Sequence, residues 1–327
     1  HVDRRLGGDD AFISLSRKLH GRGMRIIVDI SINHTGIDCP WLGKALSGKE
    51  PERSFYVFED GKPRYWQGVR TLCQLDYRSS ALRSLIYRDP DSVLQRFVRP
   101  PFFQDGWRLD VATEVGRSGS SQLNAEVWRE VRSHLKAISP DIYLVGEDWD
   151  DSSPYLEGDM WDGAMNYYGS GRPIRSWMGE RDRFLTAGWG HDPAQEEPWT
   201  GQEMAEALSC GVSGLPDQSA FFQMNLIDSH DTPRLHTNKA VMDKDIYHGA
   251  LMALFMLPGM PSIYYGDEIA LEGEMGSAEG ARYPMCWDES RWDKEILAMY
   301  RGLAQARKLP FLPFAAFCVE ALDSEAF

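Results

Sequence analysis

The sequence is poor in cysteine and has no long apolar run. Its 327 residues include five cysteines, an odd number without any Cys-x-x-Cys spacing. This usage is typical of reduced thiols in a cytoplasmic protein, and it argues against both a disulfide framework and a zinc site. The sequence shows no apolar segment of membrane-spanning length, no signal peptide and no internal repeat. We therefore predict a cytoplasmic protein without a membrane-embedded part.

Positive charge is also scarce. Thirty-five lysines and arginines stand against 49 aspartates and glutamates, which leaves a formal net charge of −14. Such a surface repels nucleic acid and anionic membranes, so we predict neither as a partner, whereas neutral ligands remain open. With 43% hydrophobic residues the chain can bury a large core. An α/β barrel of about 250 residues commonly forms one domain, so one main domain is expected.

Six apolar segments have the pattern of strands that are buried on both faces. They are residues 24–30, 105–112, 142–149, 160–167, 221–228 and 259–268. Apolar residues at helical spacing follow several of them, for example at 122–138 and 245–257. Strands that alternate with helices form a parallel sheet, either as a closed barrel or as a doubly wound sheet. Ligands bind at the carboxyl ends of such strands, which is where polar residues collect in this sequence.

Three strand ends carry a carboxylate, at Asp110, Glu147 and Asp231. Arg108 beside Asp110 favours the ionised carboxylate, although an ordinary buried ion pair explains the same pattern. Cleavage of a glycosidic bond requires one carboxylic acid that protonates the leaving oxygen and one carboxylate that attacks carbon or activates water. A third acid can counter the positive charge of an oxocarbenium-like transition state. The three acids together, with Arg108 and His230 beside two of them, predict a glycosidase.

The segments that carry these residues resemble the motifs of the α-amylase family, in the same order along the chain. Residues 29–34 (DISINH) resemble the first motif, 106–110 (GWRLD) the second, 145–147 (VGE) the third and 226–231 (LIDSHD) the fourth. Residues 258–268 are similar to the last barrel strand of the family. Ser229 makes the fourth motif similar to the branch of maltodextrin glucosidases, neopullulanases and cyclomaltodextrinases.

This resemblance implies an α/β fold, a (β/α)8 TIM barrel with a small domain inserted after strand 3. The predicted domains are a barrel segment at 1–33, the inserted domain at 34–76, barrel strands 4–8 at 77–312 and the start of a C-terminal β domain at 313–327. The irregular, aromatic-rich pattern of residues 34–76 agrees with a functional insertion. Because six strands are predicted where a closed barrel has eight, we expect the first two strands to be missing from the chain.

The resemblance also implies a retaining hydrolysis of α-1,4-glucosidic bonds in short maltodextrins. Asp110 would form a covalent glycosyl intermediate, Glu147 would be the acid/base, and Asp231 would stabilise the transition state. Members of the same branch suggest an alternative, which is a cyclomaltodextrinase or neopullulanase with α-1,6 or transglycosylation activity.

Four further residues are implied as substrate-binding: His34, Arg108, Trp149 and His230. The two histidines would hydrogen-bond the sugar, and Arg108 would keep Asp110 ionised. Trp149 would form an aromatic floor for a glucose unit, unless it belongs to the core. No cofactor and no metal are predicted: calcium occurs in some relatives, but the sequence offers no identifiable ligand set. The expected partner is an oligosaccharide, and a homodimer is left open.

Two other classes of function compete with this interpretation. A metal-dependent hydrolase could use His230 and Asp231 with His34 and Asp29 as ligands, but the His-Asp pair ends a strand and lacks the helical spacing of the usual metal motifs. A catalytically inactive family member could serve as a binding module. Such proteins usually lose the acids, whereas this sequence keeps all three.

Overall fold

The computed structural model describes residues 1–179, 198–237, 243–273, 281–310 and 317–322. The chain divides into two compact units. The first unit comprises His1–Asp148 and Tyr155–Asp162, and the second comprises Trp149–Pro154 and Gly163–Phe327. None of the described helices combines the length and the apolar character needed to cross a bilayer.

Short strands and helices alternate along the first unit. Its strands are Ile27–Ser31 (β1), His34–Gly36 (β2), Phe58–Glu59 (β3), Lys62–Pro63 (β4), Leu72–Gln74 (β5), Gly106–Asp110 (β6), Arg117–Ser118 (β7), Ser121–Gln122 (β8) and Tyr143–Gly146 (β9). Its α-helices are Gly8–His20 (α1), Pro40–Leu46 (α2), Ser80–Arg83 (α3), Val93–Val98 (α4) and Asn124–Lys136 (α5).

A three-stranded parallel sheet forms the centre of the first unit. Strand β6 lies between β1 and β9 and pairs with both in parallel, so that Arg108 is aligned with Asp29 on one side and with Val145 on the other. Trp107 and Leu109 are almost fully buried, as expected for a strand that is covered on both faces. Because all three strands run the same way, their carboxyl ends meet at one edge of the sheet.

Helix α5 illustrates how helical periodicity produces the packing of this unit. Its buried residues Val127, Trp128, Val131 and Leu135 recur at helical spacing and form one apolar face. The rings of Trp128 and Trp161 meet edge to face with centroids 6.0 Å apart. The prediction of a helix at 122–138 is confirmed, with ends that lie two residues inside the predicted ones.

The segment that was predicted as an insertion begins and ends on a small antiparallel pair. Strand β2 pairs with β5, which aligns His34 with Gln74, and β3 forms a hairpin with β4. The segment therefore begins and ends at neighbouring points within the first unit. The assignment of residues 34–76 as a separate domain stays a prediction, as do the other predicted domain boundaries.

The second unit has its own parallel strands and longer helices. Its strands are Gly163–Asn166 (β10), Met224–Asn225 (β11) and Met260–Pro261 (β12). Its α-helices are Arg172–Trp177 (α6), Gly201–Ser213 (α7), Asp217–Phe221 (α8), Lys244–Met256 (α9) and Lys294–Ala306 (α10). Strand β11 pairs in parallel with β10 and with β12. Tyr247, Leu251 and Phe255 of α9 pack with Tyr300 of α10 in the core of this unit.

Each of the six predicted strand segments contains a parallel strand, but several strands are shorter than predicted. In the segment predicted at 221–228, only Met224–Asn225 is a strand. Beyond it the backbone donors bond to side chains rather than to a neighbouring strand: Ser229 N donates to Thr232 Oγ1 at 2.8 Å and Leu235 N donates to Asp228 Oδ2 at 2.8 Å. In the predicted C-terminal β domain, residues 317–322 form neither helix nor strand, and residues 313–316 and 323–327 lie outside the described residues.

Strand β6 approaches β9 so closely that only glycine fits at one position. A Cβ atom on Gly106 would lie 2.2 Å from the carbonyl oxygen of Tyr143. We expect Gly106→Ala to destabilise the protein by about 1–3 kcal/mol, because the two strands must separate. The control is Gly302→Ala in α10, where nothing lies within 4 Å of the added Cβ. There the substitution should raise the free energy of unfolding by about 0.5–1 kcal/mol. Urea unfolding measures the free energy of unfolding of both variants. Similar changes in the two variants would contradict the close approach of β6 and β9.

Candidate active site

The guanidinium of Arg108 binds three carboxylates at the edge of the first sheet. Its Nη1 atom lies 3.0 Å from Asp29 Oδ1 and 2.7 Å from Asp110 Oδ1, and its Nη2 atom lies 3.2 Å from Glu147 Oε2. Asp110 ends β6, Glu147 directly follows β9, and Asp29 lies in the middle of β1 opposite Arg108, so the parallel register brings the three acids to one cation. The structure thereby brings together Arg108, Asp110 and Glu147, which the sequence predicted as site residues.

The three carboxylates differ in their access to solvent. The side chain of Glu147 is 9% exposed, that of Asp110 is 28% exposed and that of Asp29 is 57% exposed. Glu147 is further held by the backbone amide of Val111, which donates to Oε2 at 2.7 Å. The arrangement presents a partly exposed carboxylate beside a nearly buried one, which gives the two acids different environments.

Arg108 stays charged in spite of its burial. Burial alone would lower its pKa, but the negative charges of Glu147, Asp29 and Asp110 outweigh that effect and raise the pKa above its ordinary value. Arg108 therefore supplies a permanent positive charge beside the three carboxylates. The pattern that suggested an ordinary ion pair is therefore a cluster of one cation with three acids.

His34 lies at the start of the inserted segment and is held in place by neighbours on several sides. Its Nε2 atom is 3.4 Å from Ser31 Oγ, and its Nδ1 atom is 3.2 Å from Asn33 Nδ2. The ring of Trp66 stacks on the imidazole with centroids 5.4 Å apart. Burial lowers the pKa of His34, and the attraction of nearby Asp110 does not reverse this shift. The imidazole is therefore neutral at pH 7 and can donate one hydrogen bond and accept another.

In the second unit, Asp231 is paired on both of its carboxylate oxygens. Oδ1 accepts a hydrogen bond from Arg282 Nη2 at 2.6 Å, and Oδ2 lies 3.1 Å from His230 Nε2. Arg282 also donates to the carbonyl oxygen of His230 at 2.9 Å. Burial raises the pKa of Asp231, but the hydrogen bonds and positive charges of His230 and Arg282 outweigh burial and lower it. Asp231 is thus a buried, ionised carboxylate.

Trp149 stacks face to face on Tyr167 within the second unit. Their ring centroids are 4.1 Å apart and their planes differ by 5°. Tyr167 is fully buried and donates from its hydroxyl to Ser229 Oγ at 2.8 Å. The carbonyl oxygen of Trp149 accepts a hydrogen bond from Arg172 at 3.1 Å. Trp149 is half-buried, so its indole both covers the core and keeps part of its surface exposed.

Four contact residues were not identified from the sequence. Trp66 belongs to an aromatic-rich stretch that has no periodicity, and Tyr167 was assigned only to a strand. Val111 carries no sequence signal for its role, because its backbone amide makes the contact. Arg282 is an isolated cation 51 residues from Asp231. Among the residues with described positions, no group of three or more His, Cys, Asp or Glu side chains is arranged to hold a metal ion.

Comparison with known proteins gives a family match. A model of the alpha-amylase catalytic domain matches residues 1–308. Cyclomaltodextrinase from Bacillus sp. is 32% identical over 324 residues, which cover 94% of this chain and 51% of that protein. Neopullulanase 2 from Thermoactinomyces vulgaris is 30% identical over 317 residues, with coverages of 94% and 48%. The chain therefore spans about half the length of the curated relatives it matches.

Solved structures are similar over nearly the whole chain. The cyclic alpha-maltosyl-(1→6)-maltose hydrolase from Arthrobacter globiformis, in complex with maltose, has a TM-score of 0.83 at 26% identity and covers 98% of this chain and 68% of its own. The debranching enzyme from Nostoc punctiforme has a TM-score of 0.79 at 29% identity, with coverages of 96% and 64%. These likenesses confirm the predicted fold class, an α/β barrel.

The role of Arg108 as the shared cation can be tested by its removal. We expect Arg108→Gln to cost about 3–5 kcal/mol of stability at pH 7, because nearly buried Glu147 loses a charged partner. The control is Arg25→Gln: Arg25 is 68% exposed in its pair with Asp105, and its loss should cost less than about 1 kcal/mol. Equal losses in urea unfolding of the two variants would refute the shared-cation assignment.

Proposed function

This chain belongs to the alpha-amylase catalytic-domain family, and from that premise we propose that it is a retaining glycosidase acting on α-1,4-glucosidic bonds of short maltodextrins. The observation that carries the proposal is the contact of Asp110 and Glu147 with one guanidinium, that of Arg108. Two carboxylates that share a guanidinium lie close together. A retaining pair requires such proximity, with a separation of about 5–5.5 Å.

In the proposed first step, Asp110 attacks the anomeric carbon of the sugar. The bond from that carbon to the leaving oxygen breaks, and Glu147 transfers its proton to this oxygen. The partial exposure of Asp110 supports its role as the group that reaches the sugar, and Arg108 favours the ionised form that a nucleophile requires. In the second step, Glu147 takes a proton from water, which attacks the anomeric carbon and frees Asp110.

The remaining predicted residues have binding and stabilising roles in this proposal. Asp231 counters positive charge on the sugar ring, and its lowered pKa supports a carboxylate that is ionised at neutral pH. Neutral His34 hydrogen-bonds a sugar hydroxyl, and so does His230, which lies beside Asp231. The exposed part of Trp149, which is backed by buried Tyr167, offers an apolar surface to a glucose unit.

A second candidate is cleavage of cyclic or α-1,6-linked glucans. The names of the relatives favour it, since they include a cyclomaltodextrinase, a neopullulanase and a cyclic alpha-maltosyl-(1→6)-maltose hydrolase. A product time course on maltoheptaose, cyclodextrin and pullulan distinguishes the candidates. If none of the three substrates yields products, the alternative of a catalytically inactive binding module is favoured.

The same comparisons support the proposed partner and the proposed location. An oligosaccharide partner is supported by the neighbour that was solved with maltose. A cytoplasmic location is supported by the Bacillus subtilis relative named intracellular maltogenic amylase. The homodimer that the sequence left open stays a prediction.

The nucleophile assignment predicts that Asp110→Asn lowers kcat on maltotriose by at least about 10⁴-fold, because an amide cannot form the glycosyl intermediate. The fold should persist, since the amide occupies the same volume, and this is checked by circular dichroism. The matched control is Glu59→Gln, which removes a carboxylate that is 64% exposed and paired with Arg64. This control variant should have a kcat on maltotriose within about twofold of the wild-type value. Hydrolysis by Asp110→Asn at the wild-type rate would reject the assignment.

The acid assignment predicts a change in pH dependence. For the wild type we expect a bell-shaped profile of kcat/KM, whose alkaline limb reports loss of the proton from the general acid. With a substrate that has an activated leaving group, protonation is not needed, and Glu147→Gln should lack the alkaline limb. If the limb persists in this variant, another residue is the acid.

A further inference from the structure

The hairpin that β7 and β8 form contains Arg117, a residue that the proposed mechanism does not use. Three nitrogens of its guanidinium donate hydrogen bonds: Nε to the carbonyl oxygen of Thr113 at 2.7 Å, Nη1 to Gln122 Oε1 at 3.0 Å and Nη2 to Tyr155 Oη at 3.1 Å. The carbonyl oxygen of Arg117 accepts a further hydrogen bond from Gln74 Nε2 at 2.6 Å. Arg117 therefore connects its own hairpin to other parts of the first unit.

The acceptors of the guanidinium are uncharged, so the side chain of Arg117 serves as a donor in several directions rather than as a partner in an ion pair. A guanidinium is planar and holds its donors in a fixed fork, whereas the ammonium of lysine is a compact charge on a flexible stem. Gln122 faces Arg117 across the hairpin and fixes the orientation of this fork. The contacts therefore require the shape of arginine and not only its charge.

One of these bonds holds the loop that follows the proposed nucleophile, Asp110. Thr113, whose carbonyl oxygen accepts from Arg117 Nε, belongs to this loop. The preceding carbonyl oxygen, that of Ala112, accepts a hydrogen bond from Trp128 Nε1 at 2.9 Å. Side chains from the hairpin and from α5 thus hold consecutive carbonyl groups of the loop.

The bond to Tyr155 leads to the strand end that carries Glu147. The ring of Tyr155 stacks on that of Trp161, with centroids 4.1 Å apart and planes that differ by 16°. Trp161 is fully buried and lies against Gly146, the residue before Glu147. A Cβ atom on Gly146 would be 2.5 Å from Trp161 Cε3, so the indole leaves no room for a shift of the strand end toward it.

The same indole is also connected to the loop of the nucleophile. Trp161 meets Trp128 edge to face, and Trp128 binds the carbonyl oxygen of Ala112. The contacts therefore close into a ring that joins the loop after Asp110 to the strand end before Glu147. The members of this ring, in order, are Thr113, Arg117, Tyr155, Trp161, Trp128 and Ala112.

We propose that Arg117 is a positioning residue for the proposed general acid. Through the stacked rings of Tyr155 and Trp161, it fixes Glu147 relative to the nucleophile. Without the bond from Arg117 the hydroxyl end of Tyr155 loses its partner, and because close-packed rings transmit a displacement, the adjoining strand end shifts with them. The inference rests on the proposed function, because that function gives the two acids their roles.

The test compares two substrates, of which only one needs the acid. Cleavage of maltotriose requires a proton from Glu147, whereas a dinitrophenyl α-maltoside has a leaving group that departs without protonation. Arg117→Gln should lower kcat/KM on maltotriose by about 10–100-fold, the effect of a small misplacement of a catalytic group. On the activated maltoside the loss should stay below about threefold, because the loop after Asp110 keeps its contact with Trp128.

Two further variants separate the shape of the side chain from its charge and from its other contacts. Arg117→Lys keeps the positive charge but not the fork, so it should show the same difference between the two substrates as Arg117→Gln. Tyr155→Phe removes only the hydroxyl that Arg117 binds and keeps the stacked ring, and it should reproduce the difference as well. Tyr155→Phe also decides the question if Arg117→Gln does not fold.

The control is Arg5→Gln, since Arg5 is 90% exposed in its pair with Asp3. Its kcat/KM should remain within about twofold of the wild-type value on both substrates. In folded Arg117→Gln and Tyr155→Phe proteins, equal losses on the two substrates would indicate a merely structural role and overturn the proposal, as would unchanged activity on both. A wild type that cleaves neither substrate would instead reject the proposed function, and the inference with it.

A double variant tests the link between Arg117 and Tyr155 directly. Arg117→Gln combined with Tyr155→Phe should lose about as much kcat/KM on maltotriose as Arg117→Gln alone, because both changes break the same hydrogen bond. Losses that multiply in the double variant would show that the two residues act independently, and they would overturn the proposal.

Discussion

The arrangement of the first unit depends on one interaction, the binding of three carboxylates by the guanidinium of Arg108. Arg108 lies on the central strand of the parallel sheet; its partner Asp29 lies opposite it on β1, and its partner Glu147 directly follows β9. Without this cation, acids at one sheet edge would repel each other in a setting where water screens poorly. The cation therefore permits the close approach of Asp110 and Glu147 that glycosidic cleavage requires.

The chain contains more acids than bases, and its buried acids are neutralised in different ways. The guanidinium of Arg108 binds three carboxylates. One of them, that of Asp29, is largely exposed, so its negative charge needs little compensation from the protein. Asp231 has two partners of its own, His230 and Arg282, and remains ionised. The degree of burial determines which of these solutions is available, since solvent stabilises an uncompensated carboxylate only where it can reach it.

A structural feature could be predicted from the sequence where its cause lies within a short stretch of residues. It could not be predicted where it depends on residues far apart in the chain. Apolar segments predicted the six parallel strands found among the described residues, and strand-end position grouped Arg108, Asp110 and Glu147, because both signals lie within a few consecutive residues. Strand lengths were overestimated where side chains satisfy the backbone, as around Ser229. The contact of Arg282 with Asp231 could not be predicted, since it depends on the path of the chain between them and no periodicity marks it.

The conformation and the backbone contact of Val111 could not be predicted from local sequence signals. Its φ of 50° lies in a region that β-branched residues avoid, and such a conformation costs about 1–3 kcal/mol. The strand ladder between β6 and β9 ends where Glu147 N donates to the carbonyl oxygen of Leu109 at 3.0 Å. The next amide, that of Val111, donates to the Glu147 side chain instead. The strained residue thus joins the strand end that carries Asp110 to the side chain of Glu147.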